Sequence, residues 1–128
     1  MKLRIKGDSL RLRVTRSELT HLLKGGGRIE ETIHFTAVPQ SKLTYALVIA
    51  VQTAPVSVEY GFPGLTVIVS EDQLQVLASE NEIGIYALLD VGDSRSLEVS
   101  VEKDFACLDG SDEENSDTFT NPHAEANC

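Results

Sequence analysis

The residues best suited to chemistry lie near the C-terminal end of the chain. Both cysteines, Cys107 and Cys128, and one of the three histidines, His123, fall after residue 106. Two thiolates and an imidazole are donor groups that Zn²⁺ and other transition metals prefer. The sequence therefore predicts a site for zinc or another transition metal built from these three residues, although no Cys-x-x-Cys pair is present.

Two other interpretations of these residues stay open. In the first, the end of the chain is a flexible acidic tail, and Cys107 is a small buried apolar residue. In the second, the two cysteines form a disulfide, which suits an exported protein but ranks below metal binding in a reducing compartment. Phe119 and Pro122 are unusual for a fully solvated tail, and they indicate that it folds back onto the body.

A second candidate group is basic and lies at the N-terminal end. An alternating pattern directs Lys2, Arg4 and Lys6 to one side of a first strand, and Arg11 and Arg13 to the same side of a second strand. Such a face is suited to binding an anion or the phosphate backbone of a nucleic acid. The alternatives are a solvated surface, a face for a protein partner, or one covered by the chain's own acidic tail. Nucleic acid ranks below these because the net charge is −9 and no aromatic residue interleaves with the cations.

No catalytic residue is predicted, because the sequence contains no nucleotide-binding, His-Glu-x-x-His or Ser-His-Asp pattern. No apolar stretch approaches the length of a membrane helix, and the N-terminal residues lack the apolar core of a secretory signal. We therefore predict a non-enzymatic binding or adaptor module in the cytoplasm, with no membrane partner. The alternative is a DNA-binding transcriptional regulator or an antitoxin-like protein that uses the basic hairpin.

The elements that must position these residues are short strands and helices. Alternation over residues 2–14 predicts a half-buried hairpin with a turn at Gly7. Thr15 and Glu18 have the spacing of a capping box, so a helix with a stripe of leucines should follow. The chain contains no tryptophan and only 5% aromatic residues. Its core must therefore consist mainly of leucine, valine and isoleucine.

The same order of elements occurs twice along the chain. Shifting by 55 positions places the first hairpin and its capped helix on residues 58–77, where Ser70 and Gln73 form a second potential cap. The sequence thus predicts a mainly β protein with two short helices, in which tandem ββαββ repeats, 1–51 and 56–104, form one domain. Two such units with pseudo-twofold symmetry can build a barrel-like or two-sheet body. Residues 105–128 are then an acidic C-terminal tail that carries both cysteines.

Two families resemble parts of this sequence. The segment GDSLRLRV at residues 7–14, followed by a capped helix and a strand, is similar to the swapped-hairpin barrels of the transition-state-regulator and antitoxin family; this similarity covers residues 3–35. It implies a barrel architecture and the alternative DNA-binding role. The whole chain resembles a family of small uncharacterised bacterial proteins that begin like MKLRIKG, contain EETI and reach EKDFACL before an acidic tail. That second resemblance implies a bacterial cytosolic protein and supplies no activity.

Overall fold

The structure, a computed structural model, describes residues 1–105 and 117–119. Within these residues no helix is both long and apolar enough to cross a membrane. The described elements are, in chain order, β1 (Lys2–Ile5), β2 (Ser9–Val14), α1 (Arg16–Lys24), β3 (Arg28–His34), β4 (Lys42–Ala50), β5 (Val56–Gly61), β6 (Gly64–Ser70), α2 (Glu71–Leu77), β7 (Gly84–Gly92) and β8 (Arg95–Lys103).

The strands form two four-stranded sheets. Sheet A has the order β1-β2-β8-β7, and sheet B has the order β3-β4-β6-β5. In both sheets two antiparallel hairpins flank a parallel central pair, which is β2–β8 in sheet A and β4–β6 in sheet B. The prediction of a mainly β protein with two helices is confirmed.

The barrel-like form of that prediction is wrong, because the described strands do not close into a barrel. Each sheet keeps two edge strands, β1 and β7 in sheet A and β3 and β5 in sheet B. The alternation of apolar residues specifies which face of a strand is buried, but it does not specify which distant strand becomes its neighbour. Either closure or two stacked sheets satisfied the pattern, and the chain forms the two-sheet body.

One apolar core lies between the two sheets and the helices. Its members are mainly leucine and valine, as the composition predicts, and each such side chain contributes about 1.5–3 kcal/mol when it is buried fully. The most deeply buried side chains are Leu12, Val14, Val99 and Val101 of sheet A, Leu47, Val67 and Val69 of sheet B, and Leu74 and Leu77 of α2.

The predicted turn and caps position the strands and helices. Gly7 has a φ of +53°, and the Lys6 amide donates to the Ser9 carbonyl oxygen across the turn at 3.2 Å. The capping box of α1 is confirmed by reciprocal hydrogen bonds between Thr15 and Glu18, at 3.0 and 3.3 Å. At α2 the Gln73 amide donates to Ser70 Oγ at 3.3 Å. Both helices therefore begin where the sequence predicts.

Candidate binding face of sheet A

The predicted basic residues lie together on the face of sheet A that points away from the core. The antiparallel register of β1 and β2 places Lys2 opposite Arg13 and Arg4 opposite Arg11, and Lys6 lies at the turn between the strands. Like charges directly opposite each other on neighbouring strands destabilise a sheet. This face therefore needs negative groups, either from the chain itself or from a ligand.

Strand β8 and the residue after it supply some of these negative groups. Glu102 lies next to Arg13 in the parallel register, and its Oε1 is 2.9 Å from Arg11 Nε. Beyond the strand, Asp104 Oδ2 is 3.2 Å from Lys2 Nζ. Two of the five predicted cations are thus paired with carboxylates that lie far away in sequence.

Glu102 also connects the basic hairpin to β7. Tyr86 OH donates a hydrogen bond of 2.8 Å to Glu102 Oε2. Burial of the hydroxyl and this hydrogen bond raise the pKa of Tyr86 to about 12. Glu102 Oε1 is buried and contacts Arg11 as an ion pair without the alignment of a hydrogen bond. Arg11, Glu102 and Tyr86 therefore form a polar chain across three strands of sheet A.

Three of the five cations are not paired within the described part of the chain. Arg4, Lys6 and Arg13 form no ion pair there. Arg4 and Lys6 line a shallow groove of about 260 Å³, together with Arg11, Glu98 and the hydroxyl-bearing side chains of Ser9 and Ser100. Arg4 and Lys6 are exposed to solvent and available to a negatively charged group of a partner, whereas Arg13 is half-buried.

The opposite side of the same face is apolar. The side chains of Tyr86 and Leu88 on β7 are 61% and 68% exposed. From β1 to β7, the outward face of sheet A thus carries a stripe of cations, a stripe of carboxylates and a stripe of exposed apolar side chains. We call this surface the charged face.

The short described segment 117–119 contacts the body near the end of β8. The Phe119 amide donates to the Asp104 carbonyl oxygen at 2.9 Å, and the Phe119 ring is 6.2 Å from the ring of Phe105. Lys103 Nζ is 5.1 Å from the centre of the Phe119 ring, and it donates to the Ser79 carbonyl oxygen at 2.7 Å. Burial lowers the pKa of Lys103. Phe119 therefore packs beside the ammonium group of a buried lysine.

Asp117 contacts the first turn of α1. Its carboxylate accepts hydrogen bonds from the Ser17 amide, at 3.2 Å, and from the Ser17 hydroxyl, while its carbonyl oxygen accepts from the Arg16 amide at 3.1 Å. The bond from the Ser17 hydroxyl is the main cause that lowers the pKa of Asp117. A negative charge is stabilising at a helix N-terminus. Asp117 thus attaches its segment to α1.

The predicted metal ligands Cys107, His123 and Cys128 lie outside the described residues. Within residues 1–105 and 117–119, no group of three or more His, Cys, Asp or Glu side chains is placed to hold a metal ion. The three-residue metal site stays a prediction.

Sheet B carries a groove that the sequence did not indicate. It has a volume of about 520 Å³ and lies beside the turn from β5 to β6, where Phe62 is exposed. Thr32 and Thr44 line it, and their hydroxyl oxygens are 2.7 Å apart in a hydrogen bond. In the sequence, the Phe62-Pro63 dipeptide favours a turn at this position.

The charged face also contains residues that sequence reasoning missed. These are Tyr86, Leu88, Glu98, Glu102 and Asp104. Alternation predicts that side chains of β7 and β8 point outward, but only the pairing of β2 with β8 places them beside the basic hairpin. No local pattern contains that information.

Comparison with known proteins gives a family and no activity. No curated protein and no solved structure matches the chain. The model of a family of unknown function, DUF7009, matches residues 1–123, which include both sheets and both helices. The predicted resemblance to a family of uncharacterised proteins is confirmed. The chain belongs to the family of unknown function DUF7009.

Proposed function

We propose that the protein is a non-enzymatic adaptor of the bacterial cytoplasm that binds a protein partner through the charged face. The observation that carries this proposal is the arrangement of open cations and exposed apolar side chains on one sheet. Arg4 and Lys6 lie at one side of the face, and Tyr86 and Leu88 lie at the other. Protein interfaces are enriched in arginine and tyrosine relative to the rest of the protein surface.

The carboxylates that lie beside the cations on the charged face favour a protein partner over a nucleic acid. A phosphate backbone lying across the sheet would meet Glu98 and Glu102 as well as the cations, and Arg11 is already paired with Glu102. The net charge of −9 also repels nucleic acid at long range. A DNA-binding regulator ranks below the adaptor for these reasons. A steep salt dependence of duplex-DNA binding, flattened by Arg11→Ala with Arg13→Ala, would reverse that order.

Site-specific photo-crosslinking in the native cells tests the adaptor proposal. A photoreactive amino acid replaces Leu88 on the charged face in one variant and Thr66 in the groove of sheet B in a matched control. We expect a discrete adduct with a protein other than this chain from position 88, and at most a weak one from position 66. Equal adducts from both positions, or no adduct from position 88 other than one with a second copy of this chain, would contradict the proposal.

A metal site in the C-terminal tail is a second candidate. The pairing of Phe105 with Phe119 favours it, because this bridge joins the chain two residues before Cys107 to the chain four residues before His123. Because a bridge of this kind shortens the loop between the metal ligands, it lowers the entropic cost of bringing those ligands together.

Elemental analysis of protein purified without a histidine tag tests the metal site formed by Cys107, His123 and Cys128. We expect about one zinc or other transition-metal ion per chain, and a clear loss of that metal in the Cys107→Ser variant. A preparation without stoichiometric metal would refute the site, as would unchanged metal content in the variant.

We further propose that residues 1–104 form one domain derived from two repeats, 1–51 and 56–104, with residues 105–128 as the tail. In support, each sheet takes one hairpin from each of these segments. A fragment of residues 1–51 should then be unfolded by circular dichroism, because neither of its hairpins has its sheet partner. A cooperatively folded fragment would contradict this organisation.

A further inference from the structure

The four edge strands of the two sheets differ in how they are protected against pairing with another chain. Strand β1 has four residues and alternates lysine and arginine with apolar residues, and β3 contains an arginine and two glutamates. Strand β5 has six residues and follows Pro55 directly. Charged side chains, short length and proline are the usual devices that prevent edge-to-edge association.

Strand β7 lacks these protections, and its one irregularity is a β-bulge near its end, between Asp90 and Gly92. It has nine residues, with the sequence GIYALLDVG, and Asp90 is its one charged residue. Within the described residues it pairs with β8 alone, so its other edge presents unpaired backbone groups. Tyr86 and Leu88 are exposed beside that edge, and so is Val91 at 56%. A long, apolar and open edge is a site where a further strand can add to the sheet.

We propose that β7 pairs with β7 of a second copy of this chain, antiparallel about a twofold axis at Leu88. The two copies of sheet A then form one continuous sheet of eight strands, with the two β7 strands at its centre. This sheet size is common in natural proteins. A twofold axis also makes the interface closed, which limits association to a dimer.

The sequence of β7 is complementary to itself in this register. A twofold axis perpendicular to the sheet keeps each face on its own side, so inward residues pair with inward residues. Leu88 lies opposite Leu88 of the second copy, Ala87 opposite Leu89, and Tyr86 opposite Asp90, over the regular part of the strand before the bulge between Asp90 and Gly92. No like-charged side chains face each other.

The same operation on β1 or β3 creates charge conflicts. Centred on β3 it places Glu31 opposite Glu31 of the second copy, and centred on β1 it places Lys2 opposite Arg4. Like charges directly opposite each other destabilise paired strands. The edge at β7 is therefore better suited to a second copy than the edges at β1 and β3, and it is longer than the edge at β5, which follows Pro55.

The acidic stripe on β8 does not prevent this dimer. Glu98 of one copy lies three strand spacings from Glu98 of the other, which is about 14 Å at roughly 4.8 Å per spacing. That separation exceeds the screening length of about 8 Å at physiological salt. The net charge of −9 on each copy still opposes association at low salt, so dimerisation should strengthen when salt is added.

Sedimentation equilibrium of the purified full chain tests the dimer. We expect a mass of twice 14.0 kDa at physiological salt and a partial shift towards the monomer at low salt. Leu88→Lys should weaken dimerisation at least ten-fold, because it places two ammonium groups on the twofold axis. The matched variant Thr32→Lys, on the edge strand of sheet B, should leave the dimer unchanged.

A cysteine at position 88 tests the register independently. Opposite residues of antiparallel strands have Cα atoms about 4.5–5.5 Å apart, within the range of a disulfide. With Cys107 and Cys128 replaced by serine, Leu88→Cys should give a covalent dimer on mild oxidation, whereas Thr32→Cys should not. A wild-type monomer at all concentrations, a dimer unaffected by Leu88→Lys, or equal cross-linking at both positions would overturn the proposal.

Discussion

The two sheets share one plan but expose different chemistry. Each has two antiparallel hairpins around a parallel pair, and both contribute to one core. Sheet A exposes stripes of cations, carboxylates and apolar side chains, whereas sheet B exposes a groove in which the Thr32 and Thr44 hydroxyls bond to each other. The inward positions therefore determine the fold. Any difference in binding must arise from the outward positions, where the two sheets diverge.

Removing a buried leucine from either sheet should have the largest effect. Leu12 of sheet A and Leu47 of sheet B are both fully enclosed. Leu→Ala at each position should lower the free energy of unfolding by about 2–5 kcal/mol, because the side chain's burial is lost and a cavity remains. Urea denaturation followed by circular dichroism measures this. If only one substitution were costly, the two sheets would not share a single cooperative core.

Glycine-to-alanine substitutions should change the free energy of unfolding by different amounts in the two sheets. A Cβ at Gly64 of sheet B would lie 1.8 Å from the Thr44 carbonyl oxygen, which belongs to the backbone of a paired strand. The atoms nearest to a Cβ at Gly84 of sheet A would belong to side chains, those of Glu102 and Tyr86, at 2.9 Å.

Gly64→Ala should therefore cost about 1–3 kcal/mol, and Gly84→Ala clearly less. Gly61→Ala is a control in the same hairpin as Gly64, because a Cβ there meets nothing within 4 Å. Thermal or urea unfolding of the three variants provides the comparison. A Gly84→Ala variant less stable than Gly64→Ala would show that the close approach of β4 and β6 is absent.

The two helices should differ in their response to pH. Asp117 comes from a distant segment to the start of α1, whereas α2 carries Glu71 and Asp72 in its own first turn. The pKa of Asp117 is below its ordinary value of 3.8, so its stabilising effect is complete above about pH 4 and is lost as pH falls through the lowered pKa. Asp117→Asn should reduce stability at pH 7, and the difference from wild type should shrink below pH 4. A difference independent of pH would contradict the role of the carboxylate charge.

The smallest expected effect is a change in the phenolate titration, which should distinguish Tyr86 from Tyr45. Tyr86 of sheet A donates to Glu102, and Tyr45 of sheet B donates to Glu31 at 3.2 Å. Burial is the main cause that raises both pKa values, for Tyr86 to about 12. Ultraviolet titration of phenolate should therefore lose a step near pH 12 in Tyr86→Phe. The loss of a step near pH 10 instead would show that the Tyr86 hydroxyl is neither buried nor bonded to Glu102.

Structure formed by residues close together in the sequence could be predicted, whereas the pairing of strands far apart in the sequence could not. The Gly7 turn, the Thr15–Glu18 capping box and the common outward side of Arg4 and Arg11 follow from patterns within a few residues. Strand partners depend instead on how the whole chain packs, so the barrel and the two-sheet body were equally compatible with the alternation.

The same limit applies to the candidate site. The cations of the basic hairpin were predicted, but Glu102 is 91 positions from Arg11 (102 − 11), and Asp117 is 100 positions from Ser17. Contacts of that separation leave no periodic signal in the sequence. They arise only because β8 lies beside β2 in sheet A and because the segment 117–119 returns to the end of that sheet.

Binding through the charged face is tested most sharply by measuring affinity for the partner protein, other than this chain, captured from position 88. Arg4→Glu with Lys6→Glu reverses two open cations of sheet A, and Arg28→Glu with Lys42→Glu reverses the same amount of charge beside the groove of sheet B. We predict at least ten-fold weaker binding for the first pair, about 1.4 kcal/mol, and less than two-fold for the second. Equal losses for both pairs, or a loss only for the sheet B pair, would contradict binding through the charged face.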